Sequence, residues 1–236
     1  YLLTRPKIQK RKISFNGMEA FFRVSSADEL RLVEIPFEDG MGNEKFVLGK
    51  LLQSLYPGDI VCDIGASVGI HTVFMAKKVG QSGIVIAIEP EDHSYTSLQA
   101  NLKLNNLNNV FPYQMALGNY FGKGNLYRFR LVKENNREVF GQGVNVIPGD
   151  VLLRNKELPN PYVLKIDVEG YEYYVIQGLE ETLKQDKCRL LCCEVHPLML
   201  PEGVTVSSIE DLLKSFGFCR TETLPRGETF HMFFYK

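Results

Sequence analysis

The sequence lacks the features that mark membrane-spanning and nucleic-acid-binding proteins. No apolar run approaches the roughly 20 residues that a membrane-spanning helix needs. The formal net charge is only −1, so the chain has no overall basic field that would hold nucleic acid. Internal repeats and low-complexity segments are also absent. These absences favour a globular protein with no membrane partner and disfavour a nucleic-acid partner.

The cysteines form neither a disulfide pattern nor a metal-binding pattern. There are five, at positions 62, 188, 192, 193 and 219, and no C-x-x-C pair occurs. Most lie inside apolar segments, which predicts buried free thiols in a reducing compartment. We therefore expect a cytoplasmic protein. The chain begins at Tyr1 rather than methionine, so the absence of a signal peptide adds little to this expectation.

Length and composition suit one α/β domain with additions. Of the 236 residues, 44% are hydrophobic and 23% are charged, which is ordinary for a globular protein. A chain of this size buries roughly 70% of its unfolded surface, so it needs no disulfide or metal staple. We expect residues 1–42 to form an N-terminal β-hairpin extension and residues 43–236 to form the main domain. The sequence does not indicate an oligomeric state.

The first 55 residues predict a hairpin, a strand and a helix. Apolar residues alternate on both sides of Asn16-Gly17, a dipeptide typical of tight hairpin turns. Residues 30–35 predict a further strand. Apolar residues at helical spacing predict a helix over residues 43–55.

Strands and helices alternate beyond residue 58. Short apolar runs predict strands at 59–64, 83–89, 110–115, 162–167 and 189–195. Ser207-x-x-Glu210 predicts a capping box at the start of a late helix, and the last 20 residues predict an antiparallel pair, 218–223 with 229–235. Such alternation is typical of a Rossmann-like α/β fold with a mostly parallel, doubly wound sheet. Between the third and fourth strands, residues 123–146 predict an extra hairpin that turns at Asn135-Asn136.

The segment after the first strand of this sheet predicts a cofactor loop. Gly65 and Gly69 allow a tight turn and a close approach to a ligand, and the next helix offers free N–H groups. The G-x-x-x-G spacing differs from the dinucleotide fingerprint G-x-G-x-x-G, which argues against NAD. Asp63, ahead of the loop, would repel a phosphate but suits the ammonium group of a methionine moiety.

Glu89 ends the second strand of the sheet, in Ala87-Ile88-Glu89-Pro90. A carboxylate at that position can accept hydrogen bonds from both hydroxyls of an unphosphorylated ribose. Together with the glycine loop, one strand–helix unit earlier, Glu89 indicates an adenosine-containing ligand.

These segments resemble the FkbM-type methyltransferase family. The first matching string is V-C-D-I-G-A-S-V-G-I-H-T, followed by A-I-E-P and Leu98-x-x-Asn101, and the second is L-K-I-D-V-E-G-Y-E. The resemblance covers residues 44–196. It implies a class I methyltransferase fold, S-adenosylmethionine as cofactor, and methyl transfer to a hydroxyl of a sugar, polyketide or related small molecule. The residues that would hold the cofactor are Asp63, Gly65, Ala66, Gly69, Thr72, Glu89, Pro90, Ala116, Leu117 and Asp167.

The fourth and fifth strands end in groups suited to acid–base chemistry. Asp167 ends the fourth strand, and Lys165, two residues earlier, shares its face. His196 follows the fifth strand, and its reference pKa near 6.5 suits a base that removes the proton of an alcohol. Asp167 could orient His196 or be the base itself. We therefore select Asp167, His196 and Lys165 as candidate catalytic residues.

A magnesium-assisted reaction also remains open, with Asp167, Glu169 and Glu194 as oxygen ligands, but the spacing does not establish it.

Two other functions are also open. An RNA methyltransferase would use the basic residues of the insertion, Arg128, Arg130, Lys133 and Arg137, although the net charge favours a solvated face for them. A non-catalytic S-adenosylmethionine-binding module would not need the acid and base candidates.

Overall fold

A computed structural model describes residues 8–34, 37, 44–127, 130–133 and 141–236. The chain opens with the predicted hairpin, β1 (Gln9–Phe15) and β2 (Met18–Val24). Asn16 and Gly17 both have positive φ angles, 48° and 75°, as a two-residue hairpin turn of this type requires. The predicted boundary after residue 42 lies outside the described residues.

The strand predicted at residues 30–35 is wrong, because this segment begins as helix α1 (Ala27–Glu34). Its start has a capping signal that the apolar pattern did not reveal. The Glu29 backbone N–H donates to Ser26 Oγ at 3.1 Å, and the Glu29 carboxylate accepts from the Ser25 backbone N–H. The first bond satisfies a free donor of the helix N-terminus, and the second ties the residue before the cap to Glu29. Residues 35 and 36 lie outside the described part of the chain.

The main domain follows the predicted alternation up to the insertion. The elements are α2 (Glu44–Gln53), β3 (Ile60–Ile64), α3 (Ile70–Val79), β4 (Ile84–Ile88), α4 (Asp92–Leu104) and β5 (Val110–Tyr113). Next come β6 (Ala116–Gly118), β7 (Gly122–Tyr127), β8 (Arg130–Lys133), β9 (Gln142–Pro148) and α5 (Gly149–Asn155).

The C-terminal third returns to the main sheet. Its elements are β10 (Val163–Ile166), α6 (Glu172–Gln177), α7 (Glu180–Leu183), β11 (Leu190–Val195), α8 (Val206–Ser215), β12 (Arg220–Arg226) and β13 (Thr229–Tyr235). The N-cap of helix α8 lies two residues before the predicted capping box. Thr205 is this N-cap and exchanges hydrogen bonds with Ser208. The capping box predicted at Ser207-x-x-Glu210 is therefore wrong.

The main sheet has seven strands in the order β12-β13-β11-β10-β3-β4-β5. β3, β4, β5, β10 and β11 run parallel to one another, while β13 is antiparallel to β11. Val61 packs into the core on one face of the sheet, and Cys62 and Ile64 pack into the core on the other. The predicted Rossmann-like fold is therefore confirmed, and the carboxyl ends of β3, β4, β10 and β11 share one edge.

The insertion forms part of a second sheet, in the order β6-β9-β7-β8. Tyr127 pairs with Arg130 in antiparallel register, so β7 and β8 are two strands rather than one. Leu126 and Leu131, which face each other in that register, are both buried. The apolar alternation thus came from two strands, and the predicted Asn135-Asn136 turn lies outside the described residues.

Four of the five cysteines are buried free thiols, as expected, but Cys219 is exposed. Cys219 directly precedes β12, which is the edge strand of the sheet. Among the described residues, none of the helices combines the length and apolarity needed to cross a bilayer.

Candidate functional site

A cavity of about 610 Å³ opens at the edge where the parallel strands end. Eight of the residues predicted from the sequence line this cavity. They are Gly65, Ala66, Glu89, Pro90, Ala116, Leu117, Lys165 and Asp167. The other four predicted residues do not line the cavity, and they are Asp63, Gly69, Thr72 and His196. Ligands of doubly wound sheets bind at this edge.

The glycine loop passes very close to the end of β10. Gly65 has a φ of 82°, and a Cβ atom built on it would lie 1.8 Å from the carbonyl oxygen of Asp167. The backbone N–H groups of Gly65 and Ala66 both donate to Ile88 O at 2.9 Å. Only glycine fits at position 65, because a side chain there would force the loop away from Asp167. Gly69 has a φ of 92° and is the N-cap of α3.

Asp63 supports the loop from within the core. Its side chain is fully buried, and it accepts a hydrogen bond of 2.5 Å from Thr72 Oγ1. Burial raises the pKa of Asp63, and the opposing charge of Lys165, whose Nζ lies 3.6 Å away, limits the rise. Asp63 and Thr72 therefore position the loop and Lys165 and do not face the cavity.

Glu89 is fixed at the end of β4 by two backbone groups. Its Oε2 accepts from the N–H of Ser67 at 2.7 Å, and its Oε1 accepts from the N–H of Glu91 at 2.8 Å. Burial raises the pKa of Glu89 to about 7, although those two hydrogen bonds favour the ionised form. An ionised carboxylate has about four lone-pair sites, so both oxygens can still accept from a ligand in the cavity.

Lys165 holds Asp167 through an ion pair. Lys165 is buried, and its Nζ lies 3.3 Å from Asp167 Oδ2. Burial disfavours the charge, but the carboxylates of Asp167 and Asp63 raise the pKa of Lys165 above its usual value. Lys165 therefore stays protonated and orients Asp167 instead of taking up a proton.

His196 lies beside Asp167 but is largely enclosed, with 5% of the residue exposed. Its Nδ1 is 2.7 Å from Glu172 Oε1, and its Nε2 is 3.4 Å from Glu169 Oε2. Burial disfavours the charged ring, yet the hydrogen bond to Glu172 and the surrounding carboxylates raise the pKa of His196 to about 9. At neutral pH the ring in this environment is protonated, so it cannot accept a proton in that state.

The cavity wall also contains the charged residues Glu44, Glu194 and Arg226, and the sequence patterns did not indicate Glu44 or Arg226. Arg226 donates to both oxygens of Glu194 at 2.8 Å and lies 3.3 Å from Glu44 Oε2. His231 Nε2 is 3.1 Å from Glu194 Oε2. Glu44 and Arg226 are 182 positions apart in the chain, and no local motif marks either residue. The only sequence signal was the position of Glu194 at the end of β11.

Helix α1 also contributes to the cavity wall, through Asp28, Arg31 and Leu32. The structure places this helix against α4, where Ser97 donates a short hydrogen bond to Glu29. The N-terminal extension, which had no assigned role, therefore covers part of the cavity.

Comparisons with known proteins agree with this geometry. Hexuronic acid methyltransferase AglP of Haloferax volcanii is 26% identical over 193 residues, which span 80% of this chain and 76% of that protein. Methyltransferase 1 of Beauveria bassiana is 28% identical over 152 residues, 53% of this chain and 61% of that protein. The structure of Aeropyrum pernix fibrillarin with bound S-adenosylmethionine is similar in fold, with 12% identity and a TM-score of 0.56 over 99% of this chain and 85% of that chain.

The decisive match is to a family model. The methyltransferase FkbM domain matches residues 63–219, a segment that contains the glycine loop, Glu89, Asp167 and His196. The match confirms the resemblance noted in the sequence. The chain therefore belongs to the FkbM methyltransferase family and is an S-adenosylmethionine-dependent methyltransferase.

Proposed function

We propose that the chain transfers the methyl group of S-adenosylmethionine to an oxygen of a sugar acceptor, with a hydroxyl as the methylated group. The observation that carries this proposal is the position of Asp167. Its carboxylate lies in the cavity wall, next to the glycine loop and paired with a buried cation. The hexuronic acid methyltransferase among the relatives supports the sugar class of acceptor.

The cavity fits S-adenosylmethionine at each of its parts. The two free acceptor oxygens of Glu89 suit the ribose hydroxyls, and Ala116 and Leu117 offer an apolar wall for the adenine. The close approach of Gly65 to Asp167 would leave the loop backbone beside the methionine moiety of the bound cofactor. Several carboxylates line the cavity, which favours a cationic sulfonium.

The protein's own contribution to the reaction would be positioning and proton removal. Holding the acceptor oxygen, methyl and sulfur in line contributes up to about 7–11 kcal/mol. Removing the hydroxyl proton as the oxygen attacks adds roughly 10²–10⁴-fold. Asp167, held by Lys165, is our proposed acceptor of that proton. His196, the other sequence-based candidate, could act as a base only with its ring neutral.

The negative charges that line the cavity also disfavour RNA as the acceptor. Asp28, Glu44, Glu91, Glu169 and Glu194 add carboxylates around the cavity, and these would repel a phosphate backbone. The basic residues of the insertion give no counter-argument, because the side chains of Arg128, Arg130, Lys133 and Arg137 lie outside the described residues.

An acceptor panel tests this proposal. The chain is incubated with methyl-labelled S-adenosylmethionine and, separately, with neutral sugars, uronic acids and RNA. We expect label in a sugar product that survives mild alkali, because an ether survives it and a methyl ester releases methanol. Label released by alkali would move the methylated group from a hydroxyl to a carboxylate. Label in RNA alone, or in none of the pools, would overturn the proposal.

A further inference from the structure

We propose that His196, Asp167 and Glu194 form a binding site for one divalent metal ion at the acceptor end of the cavity. One potential ligand atom of each residue lies within 4.8 Å of the others. Asp167 follows β10 and His196 follows β11, and these two strands are neighbours in parallel register. The fold therefore holds the three side chains together at one place on the sheet edge.

His196 is oriented as a metal ligand usually is. Its Nδ1 is tied at 2.7 Å to Glu172, a fully buried carboxylate that also accepts from the N–H of Gly170 at 2.9 Å. Metal-bound histidines commonly donate their second ring nitrogen to a carboxylate in this way. The ring is 95% buried, and within the described residues its Nε2 makes no hydrogen bond. That nitrogen instead faces Glu169 and Glu194, at 3.4 and 3.8 Å.

The charge around the ring also favours a bound cation. Four carboxylates surround it, on Asp167, Glu169, Glu172 and Glu194. Lys165 pairs with Asp167, and Arg226 pairs with Glu194. With the His196 ring neutral, as a metal ligand must be, and both cations counted in full, four negative charges less two leave an excess of two. One divalent ion neutralises that excess.

Glu194 contributes mainly charge, because its oxygens already accept from Arg226 and Thr229. Asp167 and the half-exposed Glu169 have free lone pairs on the cavity side. A site with one imidazole nitrogen and several carboxylate oxygens suits a first-row transition ion such as Mn²⁺ better than Ca²⁺. It differs from the magnesium variant of the sequence analysis, which lacked the imidazole.

The position of the metal site gives the ion a role in methyl transfer, and this role rests on the proposed function. A cation beside Asp167 would polarise the acceptor hydroxyl and hold its oxygen near the end of β10. It would also offset the repulsion between these carboxylates and an acidic sugar.

Binding of Mn²⁺ tests the site without any acceptor. The chain, stripped with a chelator, is titrated with Mn²⁺ while free ion is followed by electron paramagnetic resonance. We expect one saturable site per chain, with affinity at least tenfold weaker in His196→Ala and roughly 10–100-fold weaker in Glu172→Gln. The matched control is His93→Ala, since the His93 side chain is 60% exposed and pairs with Glu29 away from the cluster.

Binding of S-adenosylhomocysteine is measured for every variant as the test of folding. If His196→Ala does not fold, Asp167→Asn takes its place and should lose Mn²⁺ to a similar degree. The proposal is overturned if the folded chain shows no saturable Mn²⁺ binding below millimolar concentrations. It is also overturned if the folded cluster variants bind Mn²⁺ as tightly as His93→Ala. Neither result depends on whether the acceptor is a sugar.

Discussion

At the scale of single residues, Glu89 gives the most direct test of the cofactor site. Glu89→Ala should weaken S-adenosylhomocysteine binding at least tenfold, because hydrogen bonds to a charged acceptor contribute about 1.5–3 kcal/mol each. Calorimetry measures the change. Glu202→Ala, an exposed carboxylate outside the cavity, should bind as the unchanged chain does. Equal affinities in the two variants would mean that Glu89 makes no contact with the ribose.

The raised pKa of Glu89 predicts a pH dependence of binding. Below about 7 the carboxylate takes up a proton and loses acceptor capacity, so affinity should fall as the pH falls. At one unit below the pKa only about a tenth remains ionised, which predicts roughly tenfold weaker binding at pH 6 than at pH 8. Calorimetry at several pH values checks this. Glu89→Gln should show a flatter profile, and an equally steep one would assign the dependence to another group.

The sequence located most of the predicted residues that line the cavity, because they follow strand ends in short, ordered motifs. It could not show that Asp63 and Thr72 face inward, since depth behind a cavity wall depends on how the loop packs. Nor could it show that carboxylates from separate segments surround His196. The reference pKa of an isolated histidine suggested a base, whereas Glu172 and Glu169 favour the protonated ring.

At the scale of elements, the glycine loop depends on its contact with β10. Gly65→Ala should abolish measurable cofactor binding, because its Cβ would meet the Asp167 carbonyl oxygen. Gly80→Ala is the matched control. It also has a positive φ, 70°, but no atom lies within 4 Å of its Cβ. Gly80→Ala should lose only stability, about 1–3 kcal/mol, in denaturant unfolding. Cofactor binding by Gly65→Ala at normal affinity would contradict the close contact.

The strands of the main sheet were predictable because buried parallel strands are continuous apolar runs. Helix α1 was misread because Leu30, Leu32 and Val33 fit a short strand as well as a helix, and the Ser26–Glu29 cap decides between them. The insertion was misread for a related reason. Alternation of apolar residues alone cannot show where one strand ends and its partner begins.

At the scale of the whole molecule, Asn101 connects the N-terminal hairpin to the cofactor loop. Its Oδ1 accepts from the N–H of Arg23 at 2.7 Å, and its Nδ2 donates to Val68 O at 2.8 Å. In the sequence, Asn101 stands out only as part of a family motif, because its hydrogen-bond partners lie 78 and 33 positions away. The hairpin is thereby connected to the glycine loop through one buried side chain.

Asn101→Ala should therefore reduce both stability and cofactor affinity. Each buried backbone group left without a partner costs about 1–3 kcal/mol, which denaturant unfolding would detect. Asn108→Ala, at an exposed position, serves as the control and should change neither quantity. A stability loss in Asn101→Ala with unchanged affinity would show that the hairpin does not influence the loop.

The account as a whole depends on Asp167 acting at the reacting end of the cavity. The most direct measurement is the rate of methyl transfer by Asp167→Asn, with saturating cofactor and the best acceptor from the panel, beside its affinity for S-adenosylhomocysteine. Asp211→Asn, exposed on α8, is the control. The account predicts a rate loss of roughly 10²–10⁴-fold in Asp167→Asn with cofactor affinity largely retained. A rate equal to that of Asp211→Asn would contradict it.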